Sequence, residues 1–125
     1  MHENQLAKII VDCAFRVHNT LGPGLLENVY QAALVYELKQ RGLNVATERG
    51  IPAEYGNVRL EVGFRADIIV ENKVIIEIKA VEELNNIHLA QMLSYLKLSS
   101  LKLGYLINFN VKFVKDGIKR VVNNL

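Results

Sequence analysis

Three segments of the chain carry apolar side chains at the spacing of an amphipathic helix. Residues 4–20 predict the first helix, in which Lys8, Asp12 and Arg16 follow each other at four-residue intervals, a spacing suited to ion pairs on its polar side. Residues 25–41 predict the second helix and residues 86–99 the third. The apolar sets are Leu6, Ile9, Ile10, Cys13 and Val17 in the first helix, Leu26, Val29, Ala33 and Leu34 in the second, and Ile87, Leu89, Ala90, Leu93 and Leu96 in the third.

Strand patterns fill most of the remaining chain. Residues 44–56 mix β-branched side chains with glycines and a proline, which predicts a strand, a bend and a short second piece. Residues 58–71 and 73–80 predict the two strands of a hairpin. The nearly continuous apolar run at residues 103–109 is typical of a buried strand, and residues 118–122 predict a short strand at the edge of the sheet after a turn.

Apolar positions fix the register of the hairpin. Alternation gives each strand one apolar face, and pairing position 68 with position 76 buries both faces together. The apolar set is Ala66, Ile68 and Val70 on the first strand and Val74, Ile76 and Ile78 on the second. The same register sets Asp67 directly opposite Glu77, with Lys79 two residues along on the same face, and it leaves residues 71–73 as the loop.

This register gathers two carboxylates and one ammonium on one face of the hairpin. Facing carboxylates destabilise a sheet by a few tenths to about 1 kcal/mol in water, and by more when they are partly buried. Lys79 offsets part of this repulsion, and a divalent cation would offset it far better, since oxygen ligands suit Mg²⁺, Mn²⁺ or Ca²⁺. The alternative is the solvated face of a half-exposed sheet, but Ile69 and Ile75 on the same face argue against it.

Length, composition and charge limit the class of protein. A chain of 125 residues, 50% of them hydrophobic, predicts one folded domain over residues 1–125, and the order of its elements predicts a mixed α/β fold with helices packed on a mixed sheet. Cys13 is the single cysteine, and no signal-peptide pattern or membrane-length apolar run is present, so we expect a cytoplasmic protein that makes no membrane contact. The net charge of +2 predicts no strong basic field, so a nucleic acid would have to bind a local patch.

Several separated segments resemble nuclease sequences in the same order. Asp67 followed by "EIK" at residues 77–79 is similar to the signature of the PD-(D/E)XK nuclease superfamily, although Ala66 stands where the superfamily name has proline. The segment "GLLENVY" at residues 24–30 is similar to the motif of the GxxExxY family within that superfamily. "AQMLSYLK" at residues 90–97 resembles a Gln-x-x-x-Tyr helix motif of these nucleases, and "LGYLINF" and "DGIKRVV" resemble the family's closing segments.

The resemblance implies a fold, an activity and a set of site residues. The fold would be a restriction-endonuclease-like core of helix, three strands, helix and strand, with an extra N-terminal helix and a C-terminal edge strand. The activity would be metal-dependent hydrolysis of DNA or RNA with Mg²⁺ or Mn²⁺. Lys79 would hold or deprotonate the attacking water, and Gln91 would orient it. The metal ligands would be Glu27, Asp67, Glu77 and the backbone carbonyl of Ile78, the supporting residues Tyr30 and Tyr95, and the phosphate contacts Arg65, Lys97, Lys102, Lys119 and Arg120.

Other interpretations of the same residues stay open. Glu27 lies in the first turn of a helix, where a carboxylate favours the helix dipole whatever its further role. Tyr30 also suits a packing position with a hydrogen-bonded hydroxyl. The alternative function is a nucleic-acid-binding or protein-binding module on a nuclease scaffold without turnover. The small size and near-neutral charge favour this alternative, or a protein partner that presents the substrate.

Overall fold

The computed structural model describes all of residues 1–125 and shows α-helices packed on both sides of a five-stranded sheet. The predicted order of elements is confirmed, although β1 is one continuous strand with a register shift between Pro52 and Glu54 where the sequence predicted two pieces. In chain order the elements are α1 (Glu3–Leu21), α2 (Glu27–Gln40), β1 (Val45–Tyr55), β2 (Val58–Val70), β3 (Val74–Lys79), α3 (Asn86–Ser99), β4 (Leu103–Asn108), a 3₁₀ helix (Val114–Gly117) and β5 (Ile118–Val122).

The sheet is mixed, and its strands lie in chain order from β1 to β5. Only β3 and β4 are parallel, and the other neighbouring pairs are antiparallel. Parallel neighbours need a crossover between them, which α3 provides. Because α3 packs on one side of the sheet and α1 and α2 on the other, the central strand β3 is covered on both faces.

The larger core lies between the sheet and helices α1 and α2. Helix α2 contributes Tyr30, Leu34 and Leu38, which follow each other at four-residue intervals and are fully buried. Leu34 was predicted, but the prediction that Leu26 and Val29 belong to the apolar face is wrong, since both are exposed. Leu26 is the N-cap residue, just before the first turn of α2. Apolar residues lie on more than one side of α2, so the sequence pattern does not determine which side is buried.

The smaller core lies under α3, on the other face of the sheet. Met92 and Leu96 of this helix are buried against Ile69 and Ile75. Ile87, which was predicted to be buried, is 75% exposed because it lies in the first turn, beyond the sheet residues that form this core. Ala90 is exposed as well, so the prediction for α3 is correct in its bounds and only partly correct in its buried face.

The predicted hairpin register is confirmed from Ile68 to Val74, but the predicted pairs of position 66 with 78 and of Asp67 with Glu77 are not part of the strand pairing. Ile68 pairs with Ile76 and Val70 with Val74, which leaves residues 71–73 as the connection. Ala66 departs from the prediction because it packs in the smaller core with Ile69 rather than with Ile68. The departure coincides with an irregularity in β1, where Glu48 has a φ of 50° next to the residue that pairs with Ala66.

Polar side chains of α1 pair with α2 rather than with each other. Arg16 forms an ion pair with Glu37 at 3.3 Å, and Asp12 forms one with Arg41. Both pairs are partly exposed, so each adds at most about 1 kcal/mol, and their main effect is to align the two helices. None of the helices combines the length and the apolar character that a bilayer-spanning segment needs.

Candidate functional site

The candidate site lies where β2 and β3 separate. Their pairing ends at Ile68 and Ile76, and beyond it Asp67 Oδ2 accepts a hydrogen bond from the backbone N–H of Ile78 at 2.8 Å. A regular ladder would give that N–H a backbone carbonyl of β2. The carboxylate of Asp67 is therefore inserted between the two strands, beside Glu77.

Glu77 is a buried carboxyl group without a complete set of partners. Its residue is 7% exposed, and Oε1 is buried with no hydrogen-bond partner. Burial, and after it the nearby Asp67, raise the pKa of Glu77 from 4.5 to about 9, and the charge of Lys79 opposes part of this shift. At neutral pH this carboxyl is therefore protonated in the folded protein. A buried polar oxygen left without a partner in the chain is uncommon in native proteins, and it leaves Oε1 free to bind a water or a cation.

Lys79 and Tyr95 border the two acids. Lys79 is two residues beyond Glu77 on β3, so it lies on the same face of the sheet. Tyr95 approaches from α3, where its ring stacks on Phe64 of β2 with 3.8 Å between the centroids. Burial raises the pKa of the Tyr95 hydroxyl, and the charges of Glu77 and Asp67 raise it further.

The first two turns of α2 contact the backbone on either side of the acids. The exposed Glu27 accepts a hydrogen bond from the backbone N–H of Ala80 at 3.2 Å. One turn later, Gln31 donates to the backbone carbonyl of Asp67 at 3.3 Å and to the carboxylate of Glu48 at 2.9 Å. Sequence reasoning missed Gln31, although its position four residues after Glu27 places both on one face of the helix.

Asn108 fixes the segment that follows Lys79. It is the Cα partner of Lys79 across β3 and β4, and it is 1% exposed. Its Oδ1 accepts from the backbone N–H of Val81 at 3.1 Å and from that of Asn110 at 3.2 Å, and its Nδ2 donates to the carbonyl of Val81 at 2.9 Å. Sequence reasoning missed Asn108 too, and the available signal was a lone polar residue near the end of a buried apolar strand.

The comparisons with known proteins agree with this arrangement. A model of the PD-(D/E)XK nuclease superfamily matches residues 4–121. The chain belongs to this superfamily. A solved structure, that of the protein SSO0001, is similar to the chain with 25% sequence identity and a TM-score of 0.58, covering 78% of this chain and 50% of that one. The chain thus spans half the length of that relative, and no curated protein matches it.

Superfamily membership and the mixed sheet confirm the restriction-endonuclease-like fold that the sequence predicted. Asp67 and Glu77 lie where the pairing of β2 with β3 ends, and Lys79 follows two residues later on β3. Gln91 is exposed on α3, and its side chain makes no hydrogen bond within the chain. It shares a helix face with Tyr95, because the two residues are four positions apart.

Tyr30 orders the loop before α2 and does not face the acids. It is fully buried and stacks on Phe109 with 4.6 Å between the ring centroids. Its hydroxyl donates to the carbonyl of Gly22 at 2.6 Å and accepts from the backbone N–H of Leu25 at 3.0 Å. The tyrosine therefore fixes where α2 begins, and through the start of α2 it fixes the position of Glu27.

The basic residues that the sequence proposed for phosphate contacts are spread over the molecule. Arg65 and Lys97 are exposed, as a phosphate contact requires. Arg120 is engaged elsewhere, since its guanidinium donates to the hydroxyl of Tyr105 at 2.9 Å and to the side chain of Asn4 at 2.8 Å. Tyr105 belongs to the larger core, on the face of the sheet opposite the acids, so the guanidinium of Arg120 does not face the acids.

The acids of the site supply carboxylate oxygens of the chemical type that binds a divalent cation. The structure contains no group of three or more His, Cys, Asp or Glu side chains arranged to hold a metal ion. Glu77 nevertheless offers the unpartnered Oε1, and Asp67 and Glu27 each use one carboxylate oxygen for a backbone N–H and keep the other. Hard carboxylate oxygens of this kind suit Mg²⁺ and Mn²⁺.

Removing the side chain of Asn108 should loosen the site without touching the acids. We expect Asn108→Ala to lower the free energy of unfolding by about 2 kcal/mol, because the N–H and carbonyl of Val81 lose their partners. Urea denaturation measures this change, and Asn110→Ala is the matched control, since that exposed side chain makes only a 3.5 Å bond to Val81. Equal stability losses in the two variants would contradict the role given to Asn108.

Proposed function

We propose that this chain is a metal-dependent nuclease that hydrolyses phosphodiester bonds of DNA or RNA. The observation that carries the proposal is the buried Oε1 of Glu77, left without a partner beside Asp67 and Lys79. A carboxylate kept only for folding would have its buried oxygens satisfied by the chain. Membership of the superfamily supports the proposal. Within the superfamily we assign the chain to the GxxExxY group on its segment 24–30.

Each site residue has a role in this proposal. Asp67, Glu77 and the backbone carbonyl of Ile78 would hold Mg²⁺ or Mn²⁺, and Glu27 would add a carboxylate from α2. A bound cation would supply charge stabilisation to the phosphate oxygens. Lys79 holds and orients the attacking water, next to the acids whose charge it partly neutralises. The supporting side chains would be Gln91 and Tyr95 on the facing surface of α3.

A cleavage assay tests the proposal directly. The purified chain is incubated with single-stranded, duplex and branched DNA and with the corresponding RNA, in Mg²⁺, in Mn²⁺ and in chelator. We expect cleavage of at least one substrate that stops in chelator and returns when metal is restored. Absence of cleavage from every substrate in both metals would overturn the nuclease proposal.

Metal binding is also measurable without a substrate. A cation that binds only the folded chain stabilises it by about 2.7 kcal/mol at 100 times its dissociation constant, so millimolar Mn²⁺ should raise the melting temperature. Asp67→Asn should remove most of this rise, because an amide is a poorer ligand than a carboxylate. The apo protein should change little, since asparagine keeps an oxygen for the N–H of Ile78.

The control for metal binding is Glu83→Gln, which neutralises an exposed acid in the loop after β3. This variant should respond to Mn²⁺ as the unaltered chain does. A melting curve that Mn²⁺ leaves unmoved, together with no heat of binding in calorimetry, would contradict the metal site.

A second candidate function is a binding module on the same scaffold. The carboxylates of Asp67 and Glu27 each accept a bond from a backbone N–H, so both acids already stabilise the fold of the apo protein. Such a module would bind nucleic acid or a protein without turnover. Retention of nucleic-acid binding in the absence of any metal-dependent cleavage would favour this second candidate over the nuclease.

A further inference from the structure

A cavity lies on the β1–β2 hairpin beside the acids. Its volume is about 440 Å³, and its lining includes Gly50 and Pro52 of β1 and Phe64 and Arg65 of β2. Arg65 precedes Asp67 by two residues on the same strand, a separation of about 7 Å. One strand of duplex DNA advances about 3.4 Å per nucleotide, so the cavity lies roughly two nucleotides from the acids.

An irregularity in β2 shapes this cavity. Between the Cα pairs Pro52–Gly63 and Glu54–Arg59, β1 has one residue and β2 has three, residues 60–62. The extra residues form a bulge, which is a feature that bends a strand and is over-represented next to active sites. Arg59 before the bulge and Gly63 after it both line the cavity. The bulge therefore brings residues from both of its sides to one space.

The two glycines of the lining differ in what the fold requires of them. A Cβ on Gly63 would overlap the backbone carbonyl oxygen of Ile51, so the close approach of β1 requires glycine there. A Cβ on Gly50 would meet no atom of the chain within 4 Å, and the φ of Gly50 lies outside the left-handed region. Glycine inside a strand weakens the strand and often marks a place where a ligand approaches the backbone. Packing therefore does not explain Gly50, whereas an open cavity does.

Arg59 and Arg65 are the two arginines whose side chains have no partner within the chain. The chain has six arginines, and the other four form ion pairs or hydrogen bonds with side chains. The pairs are Arg16 with Glu37, Arg41 with Asp12, Arg49 with Asn72, and Arg120 with Tyr105 and Asn4. Arg59 and Arg65 are exposed, and both line the cavity. Two guanidinium groups that the fold does not use thus border the space that Gly50 leaves open.

The chemistry of the lining favours a nucleobase over a bare phosphate. Glu61 is the third charged residue of the lining, and it too has no ion-pair partner. A carboxylate repels a phosphate but accepts hydrogen bonds from the amino groups of bases, and a guanidinium can bond to a base edge or stack on its ring. Ile51 and Phe64 add apolar surface. Because the bases of a duplex are paired and stacked, only an unpaired base can enter such a cavity.

We propose that this cavity binds the base of an unpaired nucleotide next to the phosphodiester bond that the chain cleaves. The substrate is then a single-stranded nucleic acid or the single-stranded part of a branched one. This inference rests on the proposed function, although the binding of the base itself needs no metal. The charge of the hairpin agrees with it: residues 48–65 contain three arginines and three glutamates, so the hairpin offers a duplex no positive field.

Filling the cavity from Gly50 tests the proposal. Fluorescence anisotropy in chelator compares a single-stranded oligonucleotide with a blunt duplex of the same sequence, and we expect the unaltered chain to bind the single strand more tightly. Gly50→Val should raise the dissociation constant for the single strand about tenfold, an effect within the range that contact with one base contributes. The melting temperature should not fall, since valine suits a strand and its Cβ meets no other atom of the chain.

Neutralising single arginines identifies the contacts. Arg59→Gln and Arg65→Gln should each raise the dissociation constant for the single strand about tenfold, because each removes one guanidinium from the base. Arg49→Gln is the matched control. It removes the same charge from the same hairpin, but Arg49 bonds to Asn72 and does not line the cavity, so the affinity should change little.

Three results would overturn the proposal. They are a duplex bound as tightly as the single strand, a folded Gly50→Val variant with unaltered affinity for the single strand, and equal losses of affinity from Arg49→Gln and from the two cavity variants. Circular dichroism shows whether each variant is folded.

Cleavage assays separate this failure from failure of the nuclease proposal. If the unaltered chain and Gly50→Val cleave the single strand equally well, the chain is a nuclease and the cavity does not hold the base. If the unaltered chain binds the single strand with the expected sensitivity to Gly50→Val but cleaves nothing, the base site stands and the chain is a binding module.

Discussion

Replacing Glu77 with glutamine is expected to stabilise the apo protein by about 5 kcal/mol at pH 8 and by only about 1 kcal/mol at pH 5. The reason is the pKa of the buried carboxyl, which burial and the neighbouring Asp67 together raise to about 9 from its ordinary value of 4.5. Glutamine is a neutral group of nearly the same shape as the protonated carboxyl, and it stays neutral across this pH range. The variant therefore keeps the shape of the protonated acid and loses its titration.

The direction of the pH effect follows from where the proton is bound. Between pH 4.5 and 9 the folded state holds a proton on Glu77 that the unfolded state has released. The stability contributed by the protonated group is therefore complete below pH 4.5 and is lost progressively as the pH rises toward 9, by up to about 1.4 kcal/mol per pH unit. Glu77→Gln should flatten this part of the stability curve.

Chemical denaturation of both proteins across pH 5 to 9 measures the difference. Titrating groups away from the site contribute equally to the two curves, so the separation at each pH reports Glu77 and the groups coupled to it. At pH 8 the melting temperature of the variant should be higher by on the order of 10 °C. Glu82→Gln, which neutralises an exposed acid in the loop after β3, is the control and should give a curve parallel to that of the unaltered protein. Parallel curves for Glu77→Gln would contradict the raised pKa.

The hairpin at the centre of the site was predictable because the side chains of a strand alternate between only two faces of the sheet. Burying Ile68 with Ile76 excluded every register that exposes one of them, and the acids followed from the same pairing. Helix faces were less predictable, because α2 carries apolar residues on more than one side. The sequence therefore favoured Leu26 and Val29, whereas the core selected Tyr30, Leu34 and Leu38.

Contacts between distant elements were not predictable from the sequence. Asp67 was identified as an acid on the site face, but alternation gives no reason for it to accept the N–H of Ile78. Gln31 and Asn108 were missed because each bonds a backbone group far along the chain, and local pattern carries no information about such partners. The polar network that positions the acids appears only when the strands and helices are assembled.

The hydrogen bonds around the acids explain how the chain tolerates a buried, unpartnered oxygen. Asp67 and Asn108 hold the two ends of the segment from Ile78 to Val81, and α2 fixes Ala80 through Glu27. The backbone is thus constrained on both sides of Lys79. A rigid support of this kind keeps polar groups in the geometry that a reaction requires, at the expense of some stability.

Replacing Lys79 with alanine is expected to lower the rate constant of metal-dependent cleavage by about 10²–10⁴-fold, because a positioned group that holds the attacking water and assists its proton transfer contributes an effect of this size. Removing one exposed phosphate contact should instead weaken substrate binding and leave the chemical step unchanged. Single-turnover cleavage at saturating metal separates the two quantities.

The comparison with Lys97→Ala makes the test specific for Lys79. Lys97 is an exposed lysine near the end of α3, and its loss should raise the substrate dissociation constant and reduce the salt dependence of binding, with little change in the single-turnover rate. Lys79→Ala should show the reverse pattern, with nearly unaltered affinity in a fluorescence anisotropy titration and a much slower rate. A single-turnover rate constant of Lys79→Ala within a few-fold of that of the unaltered chain would contradict the role given to Lys79, the one residue of β3 that follows Glu77 on the face of the acids.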